Sequence, residues 1–392
     1  MFKTIFSWHG VEMADPTANR INRIVVRGTN WVGDAVMTVP ALRELRRVFP
    51  KAHITLATRS WAKGLFADAN FLDELQVHDS SGLLSVIGQV REWRKRRYDL
   101  AVLFPNSFEA ALIASLARVP LRIGYATDNR RALLTHPVCL PEWRNSKHEV
   151  FYYLKIVAEL EWLINHQQTF LNTQPDGSLE VSAARKSAAI DLLRANGIET
   201  VPPAPPLVAL CPGSTNSRAK RWPAERYAAL ADLLVDRLGA QVLLFGSEDE
   251  LAVSVEVTEQ MHNKPVMLTG KTDLAELVAI LSLVDLLVTN DTGPAHIGSA
   301  LGRPTLVIFG PTNPLTTRPF SPFGEIARHP PDCAPCMLRD CPIDHRCMTA
   351  ITPDEILERA TGILSDKLQF VATHRTPLSE AIDKLKFVGQ TK

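Results

Sequence analysis

The sequence of 392 residues predicts an α/β protein of two doubly wound domains that face a cleft. In each half, short apolar strands alternate with amphipathic helices, which is typical of a largely parallel sheet. A proline-rich stretch interrupts this pattern near the middle of the chain. Each half also has a glycine-bearing loop directly after a strand, where open α/β sheets bind ligands.

In the first half, the alternation of strands and helices begins at residue 21. Its predicted elements are strands at 24–26, 54–57 and 100–104 and helices at 41–48 and 150–163. We assign residues 21–175 to the first domain and treat residues 1–20 as an extra N-terminal segment. That segment lacks the basic stretch and long apolar core of a secretory signal, and Met13 is an alternative start.

The second half repeats the pattern after a break. Its predicted elements are strands at 208–210, 242–245, 286–288 and 305–309 and helices at 224–238 and 274–283. The turn at Gln174–Gly177 and the stiff Val201–Pro206 mark a linker over 176–206. The second domain is therefore predicted over 207–352, followed by a helical segment over 353–392.

Charge is distributed unevenly between the halves although the net charge is only +1. Residues 1–175 contain 22 Lys and Arg against 16 Asp and Glu, whereas the remainder is acidic. The basic excess predicts an anionic partner for the first half, with a solvated surface of mixed charge as the alternative. The balance does not indicate a nucleic-acid partner, and no apolar run approaches the roughly 20 residues of a transmembrane segment.

The first glycine-bearing loop, Gly28–Asp34, is predicted to present a base. It has the Gly-x4-Gly spacing of a phosphate-binding loop, but Asp34 and Ala35 replace the Lys and Ser/Thr of that motif. An anion bound there would meet a carboxylate. A diphosphate is therefore expected in the other half.

Two loops of the second half are candidates for that diphosphate. Ser214, Thr215 and Lys220 lie between a strand and a helix, and Thr292 and Gly293 open the helix after the 286–288 strand. Backbone donors at a helix N-terminus together with a cation suit a phosphate group. Taken alone, either loop is often only a turn, but the occurrence of both on one sheet favours a phosphate site.

Two further residues have both a functional and a structural interpretation. Glu248 follows a strand, where an acid accepts hydrogen bonds from a ribose, but it also suits a helix N-terminus. His296 is a ligand contact or a packed core residue. The absence of Asp-x-Asp and of Gly-x-Gly-x-x-Gly after a strand argues against a metal-dependent nucleotide-sugar site and a nicotinamide enzyme.

Four of the six cysteines, Cys333, Cys336, Cys341 and Cys347, fall within fifteen residues. They have enough ligands for a structural zinc or iron ion, although their spacing departs from paired Cys-x2-Cys knuckles. Reduced structural thiols and a disulfide or redox role are the alternatives. Cysteine usage in a chain of this length favours a reducing cytoplasm.

An ordered set of motifs across both halves resembles the lipopolysaccharide heptosyltransferases of glycosyltransferase family 9. These motifs are Trp31-Val-Gly-Asp34, Pro105-Asn-Ser-Phe108, Arg122-Ile-Gly-Tyr125, Cys211-Pro-Gly213, Ala219-Lys-Arg-Trp-Pro223, Phe245-Gly-Ser247, Thr289-Asn-Asp-Thr-Gly293 and Phe309-Gly-Pro-Thr312. The resemblance spans roughly residues 22–365. It implies a GT-B enzyme of two Rossmann-like domains, with a C-terminal helix that returns to the first domain.

The resemblance also implies residue roles for an inverting transfer from ADP-heptose. Asp34 matches the catalytic base, and the acceptor binds the first domain. The donor residues are Ser214, Thr215, Lys220, Glu248, Asp291, Thr292, Gly293 and His296. Asn216 departs from a hydroxyl-rich pair of some relatives, and the cysteine segment is missing from others. No cofactor is expected to be required for catalysis.

The implied acceptor is the lipid A-linked inner core, which already carries one heptose. Its phosphates would account for the basic first half, and the candidate contacts are Arg94, Arg96, Arg97, Asn106, Arg122, Arg130 and Arg131. Such an enzyme is expected in the cytoplasm, at the inner face of the inner membrane of a Gram-negative bacterium. A transferase for another nucleotide sugar or core heptose, and a non-catalytic sugar-nucleotide-binding protein, are the alternatives.

Overall fold

The computed structural model describes residues 21–168 and 174–374. These residues form two six-stranded parallel sheets with flanking helices, which confirms the predicted pair of doubly wound α/β domains. The central strands are buried on both faces, because alternate side chains pack under helices on opposite sides. For example, Ile24 and Val26 enter one apolar core while Val25 enters another.

The first sheet has the strand order β3-β2-β1-β4-β5-β6. Its strands are β1 (Arg23–Arg27), β2 (His53–Thr58), β3 (Glu74–Val77), β4 (Leu100–Leu103), β5 (Leu121–Tyr125) and β6 (His136–Val138). Its helices are α1 (Val32–Met37), α2 (Val39–Val48), α3 (Ala62–Leu65), α4 (Leu83–Arg96), α5 (Phe108–Leu116) and α6 (Glu149–Asn165). The order reverses between β1 and β4, so the loop that follows β1 lies at the switch point where such sheets bind ligands.

Helix α7 (Ala183–Ala195) lies within the segment predicted as a linker and connects the two domains. Its Arg185 forms an ion pair with Asp68 at 2.7 Å and donates to the carbonyl oxygens of Gly64 and Ala275. Asp68 and Gly64 belong to the first domain, whereas Ala275 belongs to the second. One side chain therefore bridges both domains.

The second sheet has the strand order β12-β11-β10-β7-β8-β9. Its strands are β7 (Leu207–Cys211), β8 (Gln241–Leu244), β9 (Val266–Met267), β10 (Leu286–Asn290), β11 (Thr305–Ile308) and β12 (Gly324–Ala327). Its helices are α8 (Ala224–Leu238), α9 (Leu251–Gln260), α10 (Leu274–Leu281), α11 (Gly293–Ala300), α12 (Pro314–Thr317), α13 (Arg346–Thr349) and α14 (Pro353–His374). Its switch point lies between β7 and β10, whose following loops are the two candidate phosphate loops.

Helix α14 differs from the expectation that the C-terminal helix returns to the first domain. It packs against α8, and its Ile356, Ala360 and Leu364 are buried in the core of the second domain. These positions recur every four residues and so form one apolar face, which α8 covers. Residues 375–392 of the predicted helical segment, like residues 1–20, lie outside the described residues.

Candidate active site

A cleft cavity of about 620 Å³ lies between the two domains and is lined by loops from both switch points. The two loops approach so closely that even a Cβ atom at their glycines would press against the facing loop. A Cβ atom on Gly33 would lie 3.0 Å from Cδ2 of His296, and one on Gly293 would lie 3.0 Å from Cγ1 of Val32. Glycine at both positions therefore brings the start of α1 against the start of α11.

Asp34 lies in the first turn of α1 and lines this cavity. Burial, and next the negative charge of Glu149, raise the pKa of Asp34 to about 6, against opposing effects of Lys220 and Arg144. A carboxylate with that pKa is mostly ionised at neutral pH and yet accepts a proton more readily than an exposed one. Its position and its pKa both suit a general base.

Arg144 and Glu149 form a charged pair near Asp34 that the sequence analysis did not select. The Arg144 guanidinium donates to the Glu149 carboxylate and lies 4.0 Å from the centroid of the Tyr152 ring. Glu149 opens α6, and Arg144 precedes that helix by five residues. Only the packing of α6 beside β5 and α1 brings this pair to the base.

Lys220 points toward Asp291 across the second switch point. Its Nζ lies 3.0 Å from Oδ2 of Asp291 and 3.0 Å from the carbonyl oxygen of the same residue. Thr312 donates a 2.6 Å hydrogen bond to the buried Asp291 carboxylate. Asp291 therefore orients the lysine, and the ammonium group remains partly exposed at the cavity wall.

Asn290, at the end of β10, joins the two candidate phosphate loops. Its Nδ2 donates to the carbonyl oxygens of Pro212 and Gly213, and its Oδ1 accepts from the backbone N–H of Trp222 and the hydroxyl of Tyr227. A fully buried amide with four partners is costly to disrupt. Asn290 therefore holds the loop after β7 in register with the loop after β10.

Ser214, Thr215 and Glu250 lie together on the cavity wall, whereas Glu248 does not line it. Glu250 accepts from the backbone of Ser247 and from the Thr215 hydroxyl at 3.3 Å. Glu248 is exposed two residues earlier. The prediction that Glu248 accepts hydrogen bonds from a ribose stays a prediction. Glu250, which the sequence analysis did not select, is the glutamate that lines the cavity.

His296 lines the cavity beside Gly33, and Thr292 and Gly293 open the helix that carries it. Burial lowers the pKa of His296 to about 4. The imidazole is therefore neutral at physiological pH and has one donor and one acceptor nitrogen. The ring is buried in the fold and also lines the cavity, so its role as a ligand contact stays a prediction.

Several predicted acceptor residues are already bound to protein groups. The buried Arg130 donates to the carbonyl oxygens of Tyr125, Pro105 and Ser107 and to the Asn106 side chain. Asn106 in turn donates to the Tyr152 hydroxyl at 2.8 Å. Arg130 therefore holds the loop after β4 in place and has little donor capacity left for a ligand.

The other predicted arginines divide into engaged and exposed ones. Arg122 donates to the carbonyl oxygens of Leu133 and Val119, Arg96 pairs with Glu74 and Glu92, and Arg94 donates to the Leu116 carbonyl oxygen. Arg97 and Arg131 are exposed, with no side-chain hydrogen bond or ion pair to another described residue. The acceptor role of this set stays a prediction, and Arg97 and Arg131 are the members free to bind an anion.

The cysteine cluster does not form the expected metal site. Within residues 21–168 and 174–374, no group of three or more His, Cys, Asp or Glu side chains is arranged to hold an ion. All four thiols of the cluster are free, with Cys333 exposed and Cys347 buried. Burial, and next the neighbouring thiols, raise the pKa of Cys347 to about 11, so it is protonated at neutral pH. The zinc or iron interpretation therefore lacks support.

No helix in the described part of the chain is long and apolar enough to cross a membrane.

The family model for glycosyltransferase family 9 (heptosyltransferase) matches residues 88–346. Lipopolysaccharide heptosyltransferase 2 of Salmonella typhimurium is 30% identical over 364 residues, which are 88% of this chain and 99% of that protein.

Two solved structures have the same fold over most of their length. The ADP-heptose LPS heptosyltransferase II of Escherichia coli is 27% identical with a TM-score of 0.72, covering 88% of this chain and 99% of that one. A glycosyl transferase family 9 protein of Veillonella parvula is 26% identical with a TM-score of 0.76, covering 88% and 98%.

Proposed function

The chain belongs to glycosyltransferase family 9, the heptosyltransferases, and we propose that it moves a heptose from ADP-L-glycero-D-manno-heptose to the inner core of lipopolysaccharide. The transfer inverts the anomeric centre, and the acceptor already carries one heptose. The relative from Salmonella typhimurium is a lipopolysaccharide heptosyltransferase, which supports this substrate class. One observation carries the proposal: a half-buried carboxylate, Asp34, shares one cavity with Lys220 and the N-terminus of α11.

The donor binds the second domain with its diphosphate at the Lys220 side of the cavity. The ammonium group of Lys220 and the backbone N–H groups that open α11 at Gly293 supply positive charge and hydrogen bonds to phosphate oxygens. They stabilise the negative charge that grows on ADP as the glycosidic bond breaks. Neutral His296 is available for a hydroxyl or phosphate oxygen of the donor.

Asp34 removes the proton from the acceptor hydroxyl as that oxygen attacks the anomeric carbon. The attack comes from the first domain, opposite the departing ADP, so the configuration inverts. Because the pKa of Asp34 is about 6, the carboxylate is ionised at neutral pH and can take the proton. Lys220 and the N-terminus of α11 meet part of the charge on the leaving group.

The acceptor is a phosphorylated, lipid A-linked oligosaccharide at the inner face of the inner membrane. The exposed Arg97 and Arg131 of the first domain are its candidate phosphate contacts. This part of the proposal also explains the basic excess of residues 1–175.

Incubation of the purified protein with a panel of nucleotide sugars and heptose-bearing inner core tests the proposal. Mass spectrometry should detect one added heptose only with ADP-heptose. Turnover of another nucleotide sugar would identify a different transferase, and binding without turnover would identify a sugar-nucleotide-binding protein. In the same assay, Asp34→Asn should bind the donor nearly normally but lower turnover roughly 100- to 10,000-fold.

Lys220→Ala tests the placement of the diphosphate. Calorimetry should detect ADP binding weakened by about 1.5 to 3 kcal/mol, the range for a hydrogen bond to a charged group. The step of bond cleavage should slow as well, because leaving-group charge grows in the transition state. Equal ADP affinity in both proteins would assign the lysine to the acceptor or to the fold.

A further inference from the structure

The cysteine-rich loop between β12 and α13 is attached to the segment that carries Lys220. The backbone N–H of Ala219 donates to the carbonyl oxygen of Arg339 at 2.9 Å, and the Ser217 hydroxyl donates to the same oxygen at 3.2 Å. Nε2 of His345 donates to the carbonyl oxygen of Ala219 at 2.7 Å. The loop and the Lys220 segment therefore form one unit, and a further ion pair between Arg218 and Asp340 at 2.6 Å joins them at the surface.

This attachment brings Arg339 to the wall of the donor side of the cleft. Arg339 lines the cavity together with Ser214, Thr215 and Lys220, although it is 119 residues away from Lys220 in the sequence. It is exposed, and its guanidinium has no hydrogen bond or ion pair to any other described residue. It is thus a cation that the folded protein leaves available to a ligand.

The charges of the cavity indicate what that ligand is. Among the residues that the structure describes, its lining includes four carboxylates, Asp34, Glu250, Asp273 and Asp291, and only two cations, Lys220 and Arg339. Asp291 already neutralises Lys220. A donor diphosphate brings at least two more negative charges, which one paired lysine does not balance. A guanidinium fits this need, because its planar N–H groups bind two phosphate oxygens at once.

We propose that Arg339 is a second cationic ligand of the donor's diphosphate, supplied by the cysteine-rich loop in addition to Lys220. The inference rests on the proposed function, because it concerns the diphosphate of the nucleotide sugar. It also gives the cysteine-rich loop a role: its backbone contacts with Ser217 and Ala219 place the guanidinium at the cavity. The loop then takes part in donor binding through Arg339.

Calorimetric titration with ADP and with adenosine tests the proposal on the full chain. Arg339→Ala should weaken ADP binding roughly 10- to 100-fold, the range for a hydrogen bond to a charged group, and leave adenosine binding unchanged. Arg339→Lys should be intermediate, because it retains the charge but not the planar fork. The matched control is Arg346→Ala, an exposed arginine of the same region that pairs with Asp344 and does not line the cavity.

Three outcomes would overturn the inference: ADP affinity in Arg339→Ala equal to wild type, equal losses for ADP and adenosine, or a rise only in the acceptor KM. The second would indicate a distorted loop, and the third an acceptor contact. Failure of the donor assignment looks different, because wild type itself would then prefer another nucleoside diphosphate. Arg339→Ala titrated with that nucleotide still tests whether the guanidinium binds the diphosphate.

Discussion

Replacing Asp34 by Asn is expected to make the folded protein more stable at neutral pH while it removes most of the turnover. Burial and the charge of Glu149 raise the pKa of Asp34 from 3.8 to about 6. A shift of about two units, at about 1.4 kcal/mol per unit, means that the ionised carboxylate destabilises the fold by up to about 3 kcal/mol. Asparagine has nearly the same shape and no charge to desolvate.

The pH dependence of this gain has a definite sign. Because the pKa of Asp34 is higher in the folded state than in the unfolded state, its contribution to stability is fully present below about pH 4 and is lost as the pH rises through about 6. The asparagine variant has no such dependence. The stability difference between the two proteins should therefore be largest at about pH 7 and above, and should shrink as the pH falls through about 6.

Urea unfolding between about pH 5 and about pH 8 measures this difference as a shift of the midpoint. Asp249→Asn is the matched control, because that carboxylate is exposed and does not line the cavity. The control should unfold like wild type at each pH. Two results would show that burial does not raise the pKa of Asp34. One is an Asp34→Asn protein that is no more stable than wild type at neutral pH, and the other is a gain in stability that does not change with pH.

Three other changes probe the domain contact, the acceptor side and the cysteine loop. Gly64→Ala places a Cβ atom 2.4 Å from the backbone nitrogen of Ala275 in the other domain. The two domains should separate, so the melting temperature should fall and the radius of gyration in solution scattering should rise. Unchanged values would contradict the contact. Arg131→Ala should raise the acceptor KM without changing ADP affinity, whereas an unchanged KM means a merely solvated side chain. Replacing Cys336 and Cys341 by Ser should lower the melting temperature and spare the turnover rate. A folded but inactive double variant would contradict this prediction. Elemental analysis of the wild-type protein measures its metal content.

The sequence alone determined the architecture of the two domains and the loops that face the cleft. Strands such as β1, β7 and β10 are short apolar runs buried on both faces, and helix α8 has one apolar face, so both patterns are readable from neighbouring residues. Asp34 could be selected because a carboxylate stands where a phosphate loop has lysine, and Lys220 because it follows a small hydroxyl-rich loop. Both signals lie within a few residues of the strand that presents them.

The tertiary structure decided which side chains meet in the cavity. Glu250 rather than Glu248 lines the wall, because the turn after β8 directs only one of the two acids inward. Arg130 resembled a surface cation in the sequence, yet it is buried among carbonyl oxygens. Arg339 reaches the donor side of the cleft because its backbone carbonyl accepts from Ala219, which is far away in the sequence. Apolar periodicity is local and records which face of an element is buried, whereas these contacts depend on how elements more than a hundred residues apart pack together.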